Sequence, residues 1–268
     1  MNVPIRAAAV LLLATTSTAL AQWKPAPGHI MTRWAHEVDS RAPLPEYPRP
    51  QMTRPVWLNL NGLWDYAIAP ASTTSAPSTY DGRILVPFPL ESALSGVKKP
   101  LLPDQALWYH RRISIPKEFA GQRLLLHFGA VDWHARVLIN NKPVGEHKGG
   151  YTPFTFDITS AIAPGAPEAD LVVIVRDPTD AWTQPRGKQT REPSGIWYTS
   201  VSGIWQTVWL EPVPQSASIQ RVVPVPDIDR GEVRVTIDTL GSSGTVEAVA
   251  YDGGTEVGRA SGTSGNPL

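Results

Sequence analysis

The chain has 268 residues, with 24 Lys+Arg against 24 Asp+Glu and a formal net charge of zero. A balanced chain without a basic surplus argues against a nucleic-acid partner, which is met by a basic patch and a high pI. No cysteine is present, which excludes disulfides, a lipoprotein anchor and thiolate metal sites, so stability must come from a large core.

The first residues read as an export signal. Arg6 supplies a positive start, Ala7–Ala14 is an apolar run too short for a bilayer, and Ala19-Leu20-Ala21 is a small-x-small cleavage site. Residues 1–21 are therefore expected to be a signal peptide, giving a periplasmic or secreted protein with no membrane anchor. Residues 22–53 are Pro-rich and read as an extended arm lying on the domain that follows.

From there the chain is a succession of short strand-like segments separated by turn signals. They are Leu63–Ile68, Arg83–Phe88, Leu107–Ile115, Arg123–Phe128, Ala135–Ile139, Val144–His147, Phe154–Ile158, Leu171–Val175 and Val201–Leu210. Leu171–Val175 is continuously apolar, as in a strand covered on both faces. Asn140-Asn141 marks a hairpin, because Asn tolerates positive φ. No sustained helical period is present, and many short strands with spaced turns predict a sandwich or barrel.

Glu211–Ser216 reads as a linker. Beyond it, Ile219–Val225, Glu232–Asp238 and Thr245–Tyr251 read as strands, and Gly258–Leu268 as a loop. An immunoglobulin-type sandwich needs about seven strands and about 100 residues. Residues 219–268 leave room for four strands at most, so the expectation is an incomplete second domain with an open sheet edge and rapid exchange after about Pro226.

Two stretches carry chemistry. The loop Asp177–Tyr198 joins two strand-like segments and is longer than the usual connection of about 4–6 residues; long loops are often functional. It holds hydrogen-bond donors at Arg186, Lys188, Gln189 and Arg191, and flat faces for sugar C–H groups at Trp182, Trp197 and Tyr198. The candidate substrate-binding residues are Arg186, Lys188, Gln189, Trp197 and Tyr198. The loop leads into a doubled Ser-Gly-Ile-Trp, at Ser194–Trp197 and Ser202–Trp205. The second copy, with Val208 and Trp209, reads as a core strand. The other stretch is Pro89–Gln105, where Glu91 is expected to bond backbone or an arginine. Asp132 reads as a turn acid bonding nearby backbone N–H groups. His127, His134 and His147 lack metal-ligand spacing, and Gly145–Gly150 precedes no helix, so it is no phosphate loop.

Six segments, in order, resemble the non-catalytic N-terminal region of glycoside hydrolase family 2. They are Leu60–Trp64; Val86–Ser92 with Leu94–Gly96; Leu107–Arg112; Phe128–Asp132 with Val137–Asn141; Gly145–Phe154; and Val201–Gln206. The resemblance implies an all-β chain: a jelly-roll β-sandwich of the galactose-binding-domain kind over 54–214, then a truncated immunoglobulin-like β-sandwich over 219–268. In the family a (β/α)8 barrel follows and supplies both catalytic glutamates for retaining hydrolysis of β-glycosides. No barrel is present in this chain, so no catalytic residue, metal or cofactor is implied here. The implied partners are a β-glycoside carbohydrate and the absent barrel, toward which the 177–198 loop would reach. Some β-galactosidases carry an aspartate in that region, near the position of Trp197 here. Two other readings remain: a free-standing carbohydrate-binding module, and a structural or adhesive β-sandwich.

Overall fold

The computed structural model describes residues 23–28, 31–242 and 244–268. The expected signal peptide lies outside these. Among the described residues no helix is long and apolar enough to cross a membrane.

The strands in chain order are β1 (Leu58–Asn59), β2 (Gly62–Pro70), β3 (Gly82–Val86), β4 (Gln105–Ser114), β5 (Arg123–Phe128), β6 (Val131–Asp132), β7 (His134–Ile139), β8 (Lys142–Lys148) and β9 (Phe154–Asp157). They continue as β10 (Glu168–Arg176), β11 (Gln189–Thr190), β12 (Tyr198–Thr199), β13 (Gly203–Ile204), β14 (Val208–Val213), β15 (Ala217–Asp227), β16 (Glu232–Gly241), β17 (Thr245–Asp252) and β18 (Thr255–Thr263).

A six-stranded sheet runs β3-β2-β4-β10-β7-β8, and a four-stranded sheet runs β1-β14-β5-β9. Every pairing in both is antiparallel. The two sheets make the all-β, jelly-roll sandwich. Strand alternation puts every second side chain into the space between them. Leu126 and Phe128 of β5 stand opposite Leu210 and Val208 of β14. Across the gap, Tyr66, Tyr109, Val173 and Val137 form one row through β2, β4, β10 and β7. All eight are buried in one cluster.

Both sheets also bury part of their outer faces. On the six-stranded sheet Val172 and Ile174 of β10 pack with Trp108 and Ala67, so the continuous apolar run of β10 is covered on both sides. On the four-stranded sheet, His127 stacks on Trp209 at 4.7 Å, beneath the N-terminal arm. Asn59 and Asn61 donate to the arm carbonyls of Leu44 and Pro43 at 2.9 and 3.1 Å, and Arg49 and Arg54 pair with the buried Glu211 at 2.9 and 2.7 Å.

Four expectations change. Val201–Leu210 is two strands, not one. At Gly203 the backbone turns through φ +90°, a conformation open to glycine. Gly203 opens β13, which pairs β6; after a break at Trp205–Thr207, β14 pairs β5 and β1. Trp205 falls in the break and is half-buried rather than in the core. Glu211 is no linker residue: it lies in β14 and is fully buried. Residues 255–263, partly assigned to a loop, form β18. β15–β16 and β17–β18 are antiparallel hairpins, and Leu268 exchanges backbone hydrogen bonds with Val235 of β16. These strands are formed and paired, although most of their side chains are exposed.

Candidate functional site

β10 delivers the chain to one end of the sandwich at Asp177, where the 87–104 segment, β6 and β13 also meet. Asp177 closes the first turn of the long loop, accepting from Thr179 N at 2.8 Å, and accepts from Ser202 Oγ at 2.8 Å on its other oxygen. The loop is braced at the surface by Asp180, which pairs with Arg191 and accepts from Thr190 Oγ1 at 2.9 Å. It then folds on itself. β11 and β12 pair in parallel, Gln189 opposite Tyr198, and Tyr198 N donates to Lys188 O at 3.1 Å.

Four of the five candidate residues lie on this ribbon with exposed or half-buried side chains. Trp197 and Tyr198 are 43% and 54% exposed, and Lys188 is exposed between them and Gly187. The Arg186 guanidinium lies 5.6 Å from the centre of the Trp197 ring, an arrangement favoured by the ring quadrupole, and donates to Gln189 O at 2.7 Å. Among the described residues neither Arg186 nor Lys188 has a carboxylate partner. Tyr151, which sequence reasoning passed over, joins them. At Gly187 (φ +61°) a β-carbon would sit 3.7 Å from the Tyr151 hydroxyl and 3.9 Å from that of Tyr198. The two phenols thus flank one bare stretch of backbone. Tyr151 is 52% exposed. The signal for it in the sequence was an aromatic residue set directly after two glycines.

The fifth candidate, Gln189, points the other way. It is buried, and every polar group of its amide is used inside the protein. Nε2 donates to Asp132 Oδ2 and to Tyr151 OH, each at 3.1 Å, and Oε1 accepts from Val201 N. Gln189 is a support under the face, not part of it.

Beneath the ribbon lie three buried carboxyls, Glu91, Asp132 and Asp177. Asp132 does not bond nearby backbone as expected; its hydrogen-bond partner is Gln189, far along the chain. Glu91 bonds backbone, accepting from Ser202 N at 2.9 Å, and also from Ser200 Oγ at 3.3 Å. Among the described residues none of the three is paired with a cation. Burial, and then the charges of its neighbours, pushes Asp132 up to about 7. Burial, reinforced by Asp177 and opposed by the Ser202 bonds, pushes Glu91 up to about 7. Burial also raises Asp177. Gly150 packs so close to Asp132 that a β-carbon there would meet its carboxylate at 2.5 Å.

The second tryptophan of the doubled motif belongs to this end as well. Trp205 Nε1 donates to Gly150 O at 2.7 Å, and its ring stands edge-on to Tyr151 at 6.3 Å. Beside the ribbon, a cavity of about 360 Å³ opens between Met31 and Thr32 of the arm and Glu91, Thr199 and Ser200. No grouping of three or more His, Asp or Glu among the described residues could hold a metal.

Comparison with known proteins places the sandwich. Residues 50–214 match the family model described as glycosyl hydrolases family 2, sugar binding domain. A β-galactosidase of Thermoanaerobacter pseudethanolicus is 36% identical over 104 residues, 39% of this chain and 13% of that protein. A β-glucuronidase of Paenibacillus borealis is 26% identical over 147 residues, 53% of this chain and 24% of that protein. Among solved structures, the β-glucuronidase of Faecalibacterium prausnitzii aligns with a TM-score of 0.61 and 25% identity over 83% of this chain and 42% of that one. The chain spans less than half the length of each of these relatives. With its sandwich and more than half of its residues accounted for by one family model, the chain belongs to glycoside hydrolase family 2, and residues 50–214 are its sugar binding domain.

Proposed function

We propose that this chain is the non-catalytic, sugar-contacting part of an exported family 2 β-glycosidase. Its 177–199 ribbon forms one rim of the sugar site, and a barrel supplies the chemistry. The observation that carries the reading is the exposed face of Trp197, Tyr198 and Tyr151, set beside Arg186 and Lys188 on a rigid sandwich edge. Flat rings accept the C–H face of a pyranose, and the cations and phenols donate to its hydroxyls. The relatives' names, β-galactosidase and β-glucuronidase, support a β-glycoside as ligand. The expected export signal supports a periplasmic or secreted location.

The reading separates into two measurements on the purified 268-residue chain. Incubated with aryl β-glycosides, it is expected to give no turnover above a buffer blank; turnover that copurifies with the chain overturns the non-catalytic assignment. Titrated with methyl β-galactoside and β-glucuronide and followed by tryptophan fluorescence or NMR, it is expected to show weak binding. Trp197→Ala should reduce that binding by about three- to tenfold, the equivalent of one lost aromatic contact, without lowering thermal stability. Micromolar binding by the chain alone would favour the free-standing module instead.

A further inference from the structure

The long loop is tied down at three places, and each tie ends on a buried carboxyl. Asp177 holds the entry through Thr179 N and Ser202 Oγ. Asp132 holds the middle through Gln189 Nε2. Glu91 holds the exit through Ser202 N and Ser200 Oγ. We propose that Asp132 and Gln189 form a proton-dependent clamp under the sugar-contact face, closed while the buried carboxyls hold protons and loosened when all three ionise.

Every donor to these carboxyls is neutral: two backbone amides, two serine hydroxyls and one glutamine amide. The charged and titratable groups around them offer no compensation. From β4, Tyr109 is fully buried beside Glu91, and its hydroxyl accepts from Ile204 N. From the loop, Asp180 adds a further negative charge toward Asp177 and is itself engaged by Arg191 at the surface. Arg186 spends its nearest donor on Gln189 O and otherwise lies over Trp197. Lys188 faces outward. On the β7 and β8 side, His134 pairs with Glu146 at the surface.

Like charges gathered in a site without a cation cannot all ionise at low cost, and burial has already moved Asp132 and Glu91 up to about 7. The relief for a fully ionised cluster is water. Gly150 closes one side of Asp132 and Gln189 covers its Oδ2, so displacing Gln189 opens the carboxylate to water. Once Gln189 leaves, Val201 N loses its acceptor and the Tyr151 hydroxyl loses its donor. Gln189 is thus a positioning residue through which a buried proton sets the order of an exposed face. The effect on sugar binding rests on reading that face as a sugar contact, but the effect on the loop does not.

Hydrogen exchange of the whole chain between about pH 5.5 and about pH 8.5, corrected for intrinsic rates, tests the clamp. Protection of the Gln189 and Val201–Ser202 amides is expected to fall by about tenfold or more across that range, while β4 and β10 remain protected. Asp132→Asn, neutral throughout, should make loop protection independent of pH; Glu91→Gln, which removes a like charge that raises Asp132, should shift the transition downward. Equal wild-type protection at both ends of the range overturns the proposal, as does an unchanged pH profile in both variants. If Asp132→Asn does not fold, the wild-type profile and Glu91→Gln decide. A loop that loosens with pH in a chain that binds no β-glycoside leaves the clamp standing and removes the sugar reading.

Discussion

Glu211 has no exposed surface, yet it receives Tyr47, Arg49 and Arg54 from the N-terminal arm together with Trp209 Nε1 at 2.7 Å and His127 Nε2 at 3.2 Å. Burial opposes its ionisation, but the bonds from His127, Tyr47 and Trp209 outweigh it and hold the carboxyl well below the usual range. His127 is displaced downward by burial. Replacing the carboxylate alone strands two guanidiniums against the sheet. Glu211→Gln is therefore expected to cost about 3–5 kcal/mol in urea unfolding; a loss below about 1 kcal/mol would mean that the arm contributes little. At the same scale, Trp205→Phe keeps the ring but orphans Gly150 O and should cost about 1–3 kcal/mol. The identical tetrapeptides around Trp197 and Trp205 made one look like loop and the other like core. What separates them is softer: Trp197 presents a ring to solvent, and Trp205 braces Gly150 and Tyr151 from behind.

The elements respond to pH in opposite directions. The native loop end keeps protons on Asp132 and Glu91 up to about 7, whereas unfolded carboxyls release theirs near about 4. Between those values the native state binds more protons, so these groups lower stability as pH rises through that window. Glu211 is the reverse: its native value lies below the unfolded one, so its stabilisation is present above about 4.5 and lost as pH falls below that. Unfolding free energy measured against pH should accordingly pass through a maximum near about pH 4, decline by several kcal/mol between about 4 and about 7, and level off above that. Asp132→Asn should flatten the alkaline limb, and Glu211→Gln the acid limb. Strand positions were legible because alternation is a local property; Arg123–Phe128 is read with the bounds the structure gives it. The break at Trp205 was not, because it reflects a change of sheet partner between β13 and β14, and partners are chosen across the fold.

In the molecule as a whole, protection should follow burial. β4, β10 and β7 run through the sandwich with side chains packed on the inner face and, for β4 and β10, a second cluster outside. β15–β16 and β17–β18 pair as two hairpins joined through the bonds of Gly265 and Leu268 to Ile237 and Val235, and Ile237 is the one buried large apolar side chain among their described residues. Two-stranded hairpins are marginal in water. Their amides should exchange well ahead of those in β4 and β10, and uniform protection from β2 to β18 would show a cooperative unit that this packing does not predict.

Composition, turn chemistry and strand alternation were enough to predict an all-β chain and the position of nearly every sandwich strand, and the resemblance of six segments from Leu60 to Gln206 pointed to the family. They also marked the 177–198 loop, four of whose five candidate residues are exposed or half-buried on one ribbon. Only the tertiary structure decided that Gln189 turns inward, that Tyr151 joins the face and that Glu91, Asp132 and Asp177 are buried beneath it. The reason is physical. Periodicity records which way a side chain points relative to its own strand, whereas burial, partner and proton affinity depend on groups that the fold brings together from distant parts of the chain.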